Sequence, residues 1–143
     1  MIKVLTPKGF DEVRKFIQKH KLAVLATVSP QGLPENAVVG FSMTDKFEIY
    51  FGTSMQARKY RNLLKNPRVA AVIGWDKGKT VQYEGEVYEL SPEEAEEYTK
   101  TYTGDVPSLA KWGSKLDAVF YKITPKYIKY SDISRDPWEI VEF

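Results

Sequence analysis

Thr53-Ser54-Met55-Gln56-Ala57-Arg58-Lys59-Tyr60-Arg61-Asn62-Leu63-Leu64-Lys65-Asn66-Pro67-Arg68-Val69 is the stretch on which the reading of this chain turns. It reads as a strand end, a polar cap, a short basic helix from about Met55 to Lys65, a proline stop and a new strand. Ser54 is the expected N-cap, because its hydroxyl can accept from a free backbone N–H of the first turn. Ala57, Tyr60, Leu63 and Leu64 recur at helical spacing and are expected to face a core. Helical side chains lean back toward the N-terminus, so Arg58 and Lys59 can reach the helix mouth. That mouth already offers unpaired N–H groups and partial positive charge. Together these features define a candidate phosphate site.

Working outward, the flanks alternate between short apolar runs and turn residues. Upstream, Thr6-Pro7 opens a helix whose Phe10, Val13, Phe16 and Ile17 share a face, and His20-Lys21 closes it. Here His20 is read as a helix-end residue favoured by the dipole, not as a catalytic group. Leu22 to Val28 reads as a buried strand, Ser29-Pro30-Gln31-Gly32 as a tight turn, Glu35 to Met43 as a second strand and Phe47 to Phe51 as a third. Downstream, Arg68 to Trp75 and Thr80 to Leu90 form a hairpin around Asp76-Lys77-Gly78-Lys79. Gly85 inside the long strand marks a bulge or a close backbone approach. Ser91-Pro92-Glu93-Glu94 is a capping box opening a helix to about Tyr102, with Glu96 and Lys100 as an i,i+4 pair. A loop with Gly104, Pro107 and Gly113 follows, with a short helical turn expected near Ser108 to Lys111. Asp117 to Tyr130 is a last strand, expected to break near Pro125, and the tail carries Trp138, Ile140, Val141 and Phe143, which should pack on something. About six antiparallel strands with helices at the connections imply a mainly β fold: a small barrel with peripheral helices.

Composition narrows the function. At 143 residues, one domain spanning 1–143 with a single core is expected. The formal charge is +2, from 21 basic and 19 acidic residues, too balanced for a surface built to hold nucleic acid. With no cysteine and a single histidine, thiolate chemistry, cysteine-based metal sites and a multi-histidine metal centre are excluded, and no metal is expected. No apolar run approaches the roughly 20 residues that span a bilayer, and no signal segment is evident, so a cytoplasmic location is expected.

Three stretches then carry a family likeness: Leu22 to Pro34, Ile49 to Val69, and Val81 to Glu94. In this order the chain resembles the FMN-binding split barrel of the pyridoxamine 5′-phosphate oxidase-like superfamily, over roughly Phe10 to Ile128. The resemblance implies a bound FMN at a two-fold homodimer interface. It implies that Gly52, Thr53 and Ser54 line the cofactor and that Arg58 and Lys59 grip its phosphate. The flavin ring would lie along Ala37, Val38 and Val39, whose backbone groups could meet its polar edge. Thr80 matches a position carrying a polar side chain near the flavin, and Trp112 resembles a segment contributed by the second subunit. Some branches of the family use a deazaflavin or haem, which an absorption spectrum separates from FMN. The oxidase's C-terminal arginine–histidine signature has no counterpart, since no histidine follows His20, so classical pyridoxamine phosphate oxidation is not expected. The expected function is an FMN-dependent oxidoreductase acting on a small molecule, with a nicotinamide donor possible. The alternative is a non-catalytic flavin binder or redox sensor. Neither nucleic acid nor membrane is an expected partner.

Overall fold

The computed structural model describes residues 2–3, 7–102 and 117–143. The expected helical turn near Ser108 and the segment around Trp112 lie outside the described residues. The chain forms β1 (Ile2–Lys3), α1 (Pro7–Gln18), β2 (Leu22–Val28), β3 (Pro34–Met43), β4 (Ile49–Ser54), α2 (Arg58–Lys65), β5 (Arg68–Asp76), β6 (Lys79–Glu89), α3 (Pro92–Tyr102), β7 (Ala118–Asp132) and β8 (Glu139–Glu142).

Six of the strands close into an antiparallel barrel in the order β7-β4-β3-β2-β5-β6, with β6 returning to β7. This is the mainly β barrel with peripheral helices that the strand spacing implies. Closure depends on β7, the longest strand. One of its edges pairs with β6 along its length. The other pairs first with β4, from Ala118 to Ile123, and then with β8, from Lys129 to Asp132. The expected break at Pro125 does not occur. Opposite Glu84 and Gly85 the register steps from Tyr127 to Pro125, leaving Lys126 as an extra residue. Residues 124–127 face neither β4 nor β8, so the N–H that proline lacks interrupts no ladder on that edge. Gly85 is required there: a Cβ would stand 2.4 Å from the Thr124 carbonyl oxygen.

Inward-facing residues of alternate strand positions fill the barrel, among them Leu25, Phe41, Phe51, Ile73, Val81, Tyr83 and Ile123. Helix α1 adds Val13, Phe16 and Ile17 to this core, and α2 adds Leu63. The tail does pack: Val141 is buried, and the Phe143 ring meets Phe10 and Phe47 edge-on at 4.8 and 5.1 Å. His20 stays at the end of α1, where Nδ1 donates to the Phe16 carbonyl at 2.7 Å. No described helix is long and apolar enough to cross a membrane.

The barrel is split between β3 and β4, which pair only at Phe41, Ser42 and Met43. Beyond that point β4 follows β7, and Pro34–Gly40 of β3 keep β2 as a neighbour on one edge alone. In an antiparallel strand the N–H and C=O of one residue point the same way, alternating along the strand. Every second residue from Pro34 to Gly40 therefore aims its backbone groups at the opening. Helix α2 begins beside it.

Candidate phosphate and cofactor site

The groove at the split is lined by Leu25 and Thr27 of β2, Glu35, Asn36 and Ala37 of β3, and Arg58 and Lys59 of α2. Its geometry follows from period-two alternation. Cross-strand pairs Leu25–Ala37 and Thr27–Glu35 put these side chains on the inner face, under α2. Lys59 reaches across to β4, where its Nζ donates to the Thr53 hydroxyl at 3.2 Å. Burial holds its ammonium below the usual lysine pKa. An anion in the groove would reverse that shift. Arg58 Nη1 donates to Glu35 Oε2 at 3.2 Å, an ion pair open enough to water to contribute little by itself.

Helix α2 starts later than expected. Its N-cap is Ala57, which makes no side-chain cap hydrogen bond, so Arg58 and Lys59 occupy its first two positions rather than lying a turn inside. Ser54 is not the cap. Its hydroxyl accepts from Gln56 N at 3.1 Å and donates to Asp117 Oδ2 at 2.7 Å, fastening the β4–α2 loop to the approach of β7. The first turn of α2 contains no acidic residue, and its terminal N–H groups have no side chain closing over them. Leu64, expected in the core, is 64% exposed; the buried positions are Leu63 and Asn62.

The other expected residues fall into two sets. Ala37 lines the groove, Thr53 is buried beside it, and the Val39 side chain is in the core. Val38 points the opposite way and is 61% exposed on the outer face. At Gly52 the missing side chain makes room for Phe120, whose ring would stand 2.8 Å from a Cβ. Thr80 pairs with Trp75 and Ser131 at the start of β6, so within one chain it does not line the groove. Trp112 lies outside the described residues. Sequence reasoning missed Glu35, Asn62 and Thr27. Asn62 Nδ2 donates to Thr27 Oγ1 and Glu35 Oε1, both at 2.9 Å. The available signal was a polar residue at i+3 and i+4 from Lys59 and Arg58, next to the core residue Leu63.

A guanidinium and an ammonium from the first two positions of a helix, both lining one groove, with a hydroxyl hydrogen-bonded to the ammonium, fit a phosphate. The groove holds about 80 Å³, against roughly 300–1,000 Å³ for a pocket that buries a whole small-molecule ligand. Among the described residues this groove thus offers room for the anionic end of a cofactor and does not enclose a ring system.

A family model described as Pyridoxamine 5'-phosphate oxidase matches residues 10–132, and the chain belongs to this family. A pyridoxine/pyridoxamine 5'-phosphate oxidase of Coxiella burnetii is 32% identical over 140 residues, 94% of this chain and 70% of that protein. Of several other curated oxidases of the same name the chain spans only about half the length or less, for example 48% and 39%. Among solved structures, a pyridoxamine 5'-phosphate oxidase-related, FMN binding protein from Nostoc punctiforme has a TM-score of 0.66 at 14% identity, covering 95% of this chain and 89% of that one. A heme binding protein from Mycobacterium smegmatis has a TM-score of 0.81 at 16% identity, covering 98% and 59%. At such identities these likenesses carry the fold: the barrel is of the pyridoxamine 5'-phosphate oxidase-like, FMN-binding type.

Proposed function

We propose that residues 1–143 form one FMN-binding domain, which works as a homodimer and acts as a flavin-dependent oxidoreductase on a small molecule in the cytoplasm. The observation that carries this reading is the groove at the split of the barrel, lined by Arg58 and Lys59 of α2 and by Glu35, Asn36 and Ala37 of the β3 stretch that β4 leaves unpaired, with Thr53 hydrogen-bonded to Lys59. Arg58 and Lys59 would hold the phosphate, and the β3 edge around Ala37, Val38 and Val39 would meet the polar rim of the ring. Bound FMN would supply hydride and electron transfer. The chain's own residues would bind, orient and shield it. Gly52, Ser54, Thr80 and Trp112 would complete the contacts, the last two across the dimer.

The dimer has its own support. Val38, Val24 and Val72 stand side by side on the outer face of β3, β2 and β5, and Leu22 beside them is 53% exposed. A partly exposed apolar strip of this kind is a favoured surface for association. Substituting Val38→Asp is expected to convert the dimer to monomer in sedimentation velocity; a V38D protein that stays dimeric places the interface elsewhere.

The test of the cofactor is the visible spectrum of freshly purified protein, with the released group identified by mass: a flavin is expected, and a haem spectrum overturns the reading. In fluorescence titrations the Arg58→Ala, Lys59→Ala double variant is expected to lose at least about a hundredfold in FMN affinity, two charge-assisted bonds of roughly 1.5–3 kcal/mol each. A non-catalytic flavin binder is the second reading. It is favoured by a groove lining in which, among the described residues, Glu35, Arg58 and Lys59 are the only ionisable groups, with neither histidine nor tyrosine. Turnover with a nicotinamide donor separates the two.

A further inference from the structure

The acidic residue in the groove has no part in holding a phosphate, yet the fold fixes it there. Glu35 faces inward because its neighbour across the ladder is the buried Thr27. Its Oε1 accepts from Nδ2 of Asn62, a side chain that is 3% exposed and whose amide also donates to Thr27. Its Oε2 accepts from Arg58. The two contacts differ in kind. Asn62 is buried in the α2–β2 packing, whereas the Arg58 side chain is 66% exposed. When Arg58 turns toward a ligand, the carboxylate stays behind, held by Asn62.

The charge balance then matters. Arg58 and Lys59 supply two positive charges and Glu35 one negative, so the groove carries a net +1. A phosphate monoester brings about −1.5 to −2 at neutral pH. Binding places it beside a fixed carboxylate in a partly buried setting, where like charges repel more than they do in water.

We infer that Glu35 is an internal counter-anion of the clamp, competing with a ligand phosphate for Arg58 and keeping the bound flavin exchangeable. The inference rests on the phosphate reading above. It assigns to this site a flavin phosphate that exchanges with free flavin in solution rather than one held permanently.

The test is Glu35→Gln, which removes the charge and keeps an oxygen to accept from Asn62. Dissociation constants and stopped-flow release rates are measured for FMN and for riboflavin, which lacks the phosphate, with the R58A/K59A double variant in parallel. FMN binding in E35Q is expected to tighten about tenfold and its release to slow in proportion, with riboflavin affinity changed by less than about twofold. Glu35→Ala, which drops the amide contact as well, must move FMN affinity in the same direction. Should E35Q weaken FMN or leave it unchanged while R58A/K59A loses it, the clamp stands and the counter-anion role is overturned. Should R58A/K59A bind FMN as the wild type does, the clamp itself fails and takes this inference with it.

Discussion

Two helices of this protein begin in opposite ways. Helix α3 closes its own N-terminus: the Ser91 hydroxyl accepts from Glu94 N at 3.2 Å, while Glu94 Oε1 accepts from Ser91 N at 3.0 Å. Glu93 and Glu94 in its first turn also match the helix dipole. Helix α2 does neither. Ala57 makes no side-chain cap hydrogen bond, and the first turn holds Arg58 and Lys59, the wrong sign for the dipole. A helix that forgoes both local sources of stability at one end, when the same chain uses both elsewhere, has been shaped by something other than folding. Here the open end faces the split in the barrel.

That contrast can be broken by giving α2 what α3 has. Ala57 already has the extended backbone of a cap residue, φ −76° and ψ 149°. Ala57→Asp should therefore cap the helix and stabilise the fold by about 1 kcal/mol. It should also place a carboxylate at the mouth and weaken FMN binding by tenfold or more, about 1.4 kcal/mol. Denaturation and fluorescence titration of this one variant read both effects, and a stabilised protein with undiminished affinity would show that the open end holds no anion. The reverse change sharpens the comparison. Ser91→Ala should cost about 1 kcal/mol in urea unfolding and leave FMN affinity as it was.

The smallest effect is in pH. The Glu94 carboxyl is held below its usual value, first by the Ser91 backbone N–H and then by the Tyr88 hydroxyl. A carboxylate with a lowered folded-state pKa stabilises the fold above its unfolded-state pKa, and that contribution is lost as pH falls through the folded value. The stability difference between wild type and Glu94→Gln should thus be full near neutrality and close in acid. Burial lowers Lys59 instead, which penalises the charged form. That penalty is present below the folded pKa and is relieved as pH rises toward the unfolded one, so both helix starts should gain stability with rising pH, α3 in the acid range and α2 in the alkaline range.

What was legible in the sequence was local. The Lys77-Gly78 turn, with φ of 57° and 76°, and the Ser91–Glu94 box are decided by residues within four positions of each other. Gly85 announced a close approach and has one. What misled was also local. Ser54 has the chemistry of a cap, but Asp117, 63 positions away, takes its hydroxyl, and the helix starts three residues later than the pattern suggests. Pro125 breaks a strand only where its N–H is needed, and that depends on where β4 ends and β8 begins. Glu35 escaped notice because its role is set by Asn62, 27 positions along the chain. Val38 and Val39 were read together, whereas the pleat sends one outward and the other into the core.

The central claim is that the open start of α2 holds the phosphate of a flavin. The direct measurement is the ratio of FMN to riboflavin affinity in the wild-type protein and in R58A/K59A. FMN is expected to bind the wild type at least about a hundredfold more tightly than riboflavin, with the ratio falling toward one in the double variant. Equal affinities for the two flavins in the wild type, or a ratio that survives the loss of both cations, would contradict it.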